Sequence, residues 1–153
     1  MGGFSQIAGV IRPEELRAGV IRHALVFSYR YTKAGGPVPP ATRSDGRSFE
    51  RYALPMGARL RLDPRFAIRR LRYRWQRTIA RALQVYGMYL VDTGTDAALV
   101  AQNPQSYRTN PYPWGDASYV FLPRAVLQSL QVLRLPPQYR PGRRNERRCA
   151  PIR

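Results

Sequence analysis

The chain holds 153 residues, 44% of them hydrophobic, with 26 Lys and Arg against nine Asp and Glu for a formal net charge of +17. That length suits one domain with a core of its own, and a single cysteine, Cys149, beside a single histidine excludes an intrachain disulfide and a Cys/His zinc site. No apolar run approaches the roughly 20 residues of a membrane span, and residues 1–11 lack the charged start and apolar stretch of a secretion signal.

In chain order, Pro13, Glu14 and Glu15 suit a helix's first turn and Gly19 its end, so 11–18 reads as a short helix. Residues 22–31 alternate, His23, Leu25, Phe27, Tyr29 and Tyr31 against smaller or charged neighbours, and predict a half-buried strand. The glycines and prolines of 32–48 make a long irregular connection. After a turn at Pro55-Met56-Gly57, leucines and arginines alternate to Leu62 as a second strand. Asp63-Pro64 then suits the cap and first position of a helix over 65–86. On that helix Leu71, Trp75, Ile79, Ala82, Leu83 and Tyr86 share one face, while Arg70, Arg74, Arg77 and Arg81 share the other.

Gly87 ends the helix, and 88–91 with 97–101 flank an Asp-Thr-Gly turn that predicts a hairpin. Residues 103–118 read as a loop bearing Tyr107, Tyr112 and Trp114, and 119–122 as a short strand. Pro123 opens a helical pattern over 124–133, after which the apolar pattern stops. These elements predict a single α+β domain over 1–136, an antiparallel sheet with one main amphipathic helix and short helices. Residues 137–153 read as a solvated basic tail carrying Arg143, Arg144, Arg147 and Arg148.

Residues 11–15 (Ile-Arg-Pro-Glu-Glu) leading into 21–27, then 40–46, 55–64 and 79–92, are similar in order and spacing to a known family. Over 9–103 the chain resembles the C-terminal half of an uncharacterised family of exported proteins of actinobacterial type. The resemblance implies an extracellular or cell-envelope location and a half-sandwich or jelly-roll-like sheet of the kind found in carbohydrate-active proteins. It also implies that a preceding half is missing, so that either an active site split across both halves is lost or a partner chain completes the sandwich.

All basic residues but Lys33 are arginine. The guanidinium fork pairs two-at-a-time with carboxylates and phosphates, although GC-rich coding also replaces lysine by arginine. Neither explains the shortage of acids, and the helix arginines have no acids four residues away to offset their repulsion. Arg70, Arg74, Arg77, Arg81 and the tail arginines are therefore the candidate polyanion contacts, with Tyr107, Tyr112 and Trp114 as the candidate aromatic platform for sugar or base faces.

A polysaccharide lyase needs a base, a cation for the uronate carboxylate and an acid for the leaving oxygen. His23, Arg43 and Tyr29 or Tyr31 are the residues of the right types, and the plainer reading packs His23 among apolar neighbours and pairs Arg43 with Asp45 in a turn. No nucleophile motif, phosphate-binding glycine loop, cofactor site or metal site is expected. Binding of an acidic extracellular or cell-envelope polysaccharide, with or without lyase activity, is the leading expectation. The alternative is a nucleic-acid-associated or multi-subunit assembly protein that uses the basic face and tail.

Overall fold

The computed structural model describes residues 1–94, 96–115 and 119–139. Its helices are α1 (Pro13–Ala18), α2 (Arg74–Val85) and α3 (Arg124–Gln128), with 3-10 turns at Ile7–Gly9, Ile68–Arg70 and Pro104–Ser106. Its strands are β1 (Leu25–Ser28), β2 (Arg59–Leu62), β3 (Met88–Asp92), β4 (Ala98–Val100), β5 (Tyr119–Phe121) and β6 (Leu130–Val132). The strands form one open mixed sheet in the order β5-β4-β1-β3-β2-β6, an α+β fold. No described helix is long and apolar enough to cross a membrane.

The sheet is not wholly antiparallel as expected, because its central pair, β1 and β3, is parallel. Parallel neighbours need a long crossover, and here the chain from β1 to β3 runs through the 32–57 connection, β2 and α2. The expected hairpin of β3 and β4 is also absent, since β1 lies between them. The connection passes over the end of β1, where Gly94 comes so close to Ser28 that a Cβ would sit 2.6 Å from its Oγ.

This central placement also explains why β1 is buried on both faces rather than alternating. Leu25 and Phe27 join Met88, Leu90, Ile79 and Leu83 in the main core. In register on the other face lie Val26 and Tyr89, covered by Gly9 against Val26 and by Phe4, whose ring meets Tyr89 edge-on at 6.3 Å. Each fully buried leucine or isoleucine contributes about 1.5 to 3 kcal/mol.

α2 starts at Arg74 rather than Arg65. The Asp63 side chain does accept from the Arg65 backbone N–H at 2.7 Å, but it caps a turn. The carbonyls of Asp63, Pro64 and Phe66, which a continuous helix would use internally, instead accept from the side-chain amide of Gln84 at 2.9 to 3.1 Å. The helix begins where Gln76 reaches back to accept from the backbone N–H of Tyr73.

The helix expected over 124–133 stops at Gln128, because 130–132 extends and pairs with β2, Leu62 against Leu130 and Leu60 against Val132. An edge pairing at β2 outweighs one more helical turn. At the far end, Gln138 and Tyr139 donate to the carbonyls of Gly36 and Pro37, so the chain is held to at least Tyr139. The rest of the predicted tail, with Arg143, Arg144, Arg147 and Arg148, lies outside the described residues.

Candidate functional site

The lyase constellation expected around His23 does not assemble. His23 precedes β1, and Tyr29 and Tyr31 follow it, so they stand at opposite ends of the strand. Arg43 belongs to the far end as well: its backbone N–H donates to Gly2 O, while Gly2 N–H donates to Val91 O near the end of β3. His23 instead meets Glu15 Oε1 at 2.8 Å and Arg12 Nη1 at 3.3 Å through Nε2, with Nδ1 on Ala24 O at 3.0 Å. Glu15 Oε2 also accepts from the Arg12 backbone N–H at 2.9 Å.

These contacts clasp the start of α1 to the approach to β1, and they replace the predicted packing of His23 among Leu25, Phe27 and Tyr29. The predicted Arg43–Asp45 pairing is replaced too. Asp45 accepts from Thr93 Oγ1 at 2.6 Å and pairs with the Met1 ammonium, while Arg43 is exposed. Burial raises the Asp45 carboxyl, but those hydrogen bonds outweigh it and leave the group below its ordinary value.

The arginine face of α2 is narrower than its pattern suggested. Arg74 and Arg81 are exposed, and Arg70 is exposed on the 3-10 turn ahead of the helix. Arg77 is half-buried and occupied, donating through Nη1 to Leu71 O at 2.8 Å and Arg72 O at 3.1 Å. Between Pro64 and Val91 there are seven arginines and no acid. The acids of α1 are already paired, Glu14 with Arg17 and Tyr107, and Glu15 with His23 and Arg12. Arg65 pairs with Asp63, just outside the segment, at 3.5 Å, and the remaining charge is left for solvent or a ligand to neutralise.

Beside it runs a row of four rings. Tyr73 lies nearly parallel to Trp75, with centroids 6.2 Å apart; Trp75 leans on Trp114 at 5.1 Å, and Trp114 stacks on Tyr112 at 4.7 Å. Arg72 sits 5.2 Å over the Tyr73 ring, which is 46% exposed. Tyr112, one of the expected platform rings, is core: it is 4% exposed, and its hydroxyl reaches Gln102 O at 2.8 Å and Ile11 O at 3.2 Å. Burial, with the Tyr107 and Glu14 charges adding, pushes its phenol up to about 12.

Tyr107 is half-buried and engaged with Glu14, so the outer end of the platform is Tyr73, Trp75 and Trp114. Tyr73 and Trp75 were not expected there. The signal in the sequence was the Arg72-Tyr73-Arg74-Trp75 alternation, masked because Trp75 also fits the core face of the helix.

Compared with protein-family models, with curated proteins and with solved structures, the chain matches none of them. The chemistry therefore rests on geometry alone. A guanidinium layered on an exposed ring, beside two half-buried rings and exposed arginines, offers flat apolar faces and anion-pairing donors in one strip. Such a strip suits a polymer that alternates ring faces with negative groups.

Proposed function

We propose that the chain binds an acidic polymer, an extracellular or cell-envelope polysaccharide, through the strip formed by Tyr73, Trp75, Trp114 and the exposed Arg70, Arg72, Arg74 and Arg81. The observation that carries the reading is the ring row lying against a segment of seven arginines with no acid. Sugar rings lay their apolar faces on the aromatic rings, and uronate carboxylates take the guanidinium donors. The setting outside the cell belongs to this proposal and rests on the family resemblance over 9–103. Binding rather than cleavage is proposed, because His23, Arg43, Tyr29 and Tyr31 are distributed over both ends of β1.

The experiment is retention of the full chain on immobilised polygalacturonate and on immobilised RNA across a salt gradient. The reading expects retention on the uronate polymer near physiological ionic strength, where contacts made by charge alone weaken steeply. Retention on RNA alone would transfer the site to nucleic acid, and elution from both well below that ionic strength would end the proposal.

A further inference from the structure

We propose that a second polysaccharide subsite lies at the opposite end of β1 from the Tyr73 strip, built on Tyr31, Tyr52 and Phe49, so that one molecule holds two segments of acidic polymer. This rests on the reading above for the class of ligand, but on separate residues. Tyr29, Tyr31 and Tyr52 meet edge to face, with centroids 5.7 and 4.8 Å apart. Tyr52 is 51% exposed and Phe49 is 92% exposed. Large aromatic rings so exposed on a fixed backbone indicate a surface that is covered in use.

The backbone here is held in place. Lys33 N–H donates to Leu54 O, Leu54 N–H to Tyr31 O, Ala34 N–H to Ser48 O and Ser48 N–H to Thr32 O, at 2.8 to 3.0 Å. Thr32 is fully buried, and its hydroxyl donates to Tyr29 O at 2.8 Å. Phe49 follows Ser48 directly and leads into a turn closed by Ala53 N–H on Glu50 O. The rings are thus presented by tied loops beyond the C-terminal ends of the parallel pair β1 and β3, the position at which open sheets with parallel strands bring ligand loops together.

Charge selects the occupant. Arg30 lies 5.1 Å over the Tyr31 ring, and Lys33, Arg47 and Arg51 are exposed around the patch. Against them stands Glu50; of the other nearby acids, Asp45 is taken by Thr93 and the Met1 ammonium, and Asp92 by the same ammonium at 3.0 Å. Tyr31 is enclosed by Tyr29, Tyr52 and Arg30 and serves as the backing, so the exposed rings are Tyr52 and Phe49, which suit the apolar face of a pyranose with its carboxylates toward the surrounding cations. The Tyr73 strip is tied instead to the chain ahead of β1, through Arg74 on Ala18 O and Tyr112 on Ile11 O. Joining two polymer segments then raises avidity with no added contact per site.

The test is calorimetric titration of the full chain with a short polygalacturonate oligosaccharide, comparing the native protein with Phe49→Ala/Tyr52→Ala and with Tyr73→Ala. The expected result is two oligosaccharides per native chain, one for each variant, and clouding of long polygalacturonate by the native protein that either variant abolishes. A native stoichiometry of one, lost in Tyr73→Ala and unchanged in Phe49→Ala/Tyr52→Ala, would overturn the second subsite while leaving the first. Absence of any oligosaccharide binding would overturn both. An RNA oligonucleotide binding at Phe49 and Tyr52 where the uronate does not would overturn the proposed occupant.

Discussion

Replacing Tyr112 by phenylalanine removes one hydroxyl and keeps the ring that stacks on Trp114. At neutral pH the hydroxyl donates to Gln102 O at 2.8 Å, with Ile11 O 3.2 Å away, in a side chain only 4% exposed. Its loss leaves a carbonyl unpaired and costs about 1.5 kcal/mol. The sign of this difference depends on pH. The folded-state value of about 12 lies above the ordinary tyrosine value of 10, so the stabilisation is complete below pH 10 and is lost as pH rises toward 12.

Each unit of that interval removes about 1.4 kcal/mol, or roughly 3 kcal/mol in all, from the native protein and nothing from the variant. The native chain is therefore the more stable at neutral pH, the two unfold alike at about pH 11, and the phenylalanine variant is the more stable above it. Urea unfolding followed by near-ultraviolet circular dichroism at a series of pH values reads the difference directly. Titrating groups not coupled to Tyr112 cancel in the comparison, the coupled phenol being Tyr107. A constant gap between the two proteins from pH 7 to pH 12 would show that the hydroxyl is not sequestered, and Tyr112 would return to the surface platform.

Replacing Arg70, Arg74 and Arg81 together by glutamine should lower the slope of log affinity for polygalacturonate against log salt by about 2, each paired cation contributing roughly 0.7; an unchanged slope would place the contacts elsewhere. Arg77→Gln should act on stability instead, by about 1 kcal/mol through its bonds to Leu71 and Arg72 carbonyls, with the slope almost unaltered. His23→Ala should lower the urea midpoint by the equivalent of about 1 kcal/mol and leave polymer retention as it was, whereas lost retention with an unmoved midpoint would restore a functional histidine. Gly87→Ala should cost roughly 2 to 3 kcal/mol, because φ is +76° and a Cβ would stand 2.4 Å from Leu60 O; thermal unfolding within a degree of the native value would contradict that geometry.

Local pattern carried a good part of the fold. The acids and proline of α1, the glycine at its end, the Leu60 and Leu62 alternation and the buried face of α2 are all written in spacing over a few residues. What local pattern cannot carry is which strand lies beside which. Residues 88–91 and 97–101 have the composition of a hairpin, and only the insertion of β1 between them separates the pair. The start of α2 was equally out of reach, since it depends on Gln84 folding back onto three carbonyls about twenty residues earlier.

The site divides along the same line. Exposed arginines with no acid among them are visible as composition; Arg74 and Arg81 are exposed on α2, while Arg70, expected on the same helix, is exposed on the 3-10 turn ahead of it. The internal engagement of Arg77, the burial of Tyr112 and the pairing of His23 with Glu15 and Arg12 are long-range contacts with no local signature. Trp75 illustrates the ambiguity in one residue: its helical position marks it as core, while its ring extends the row to the exposed Tyr73.

The most direct measurement of the central claim is the affinity of the full chain for polygalacturonate at physiological ionic strength, native against Tyr73→Ala. Tyr73 is surface-exposed and precedes α2, so its removal trims the strip without opening the core. A stacked ring contributes about 1 to 3 kcal/mol, which predicts at least a roughly fivefold loss of affinity with unfolding unchanged. Equal binding by the two proteins, or binding by neither, would contradict the account.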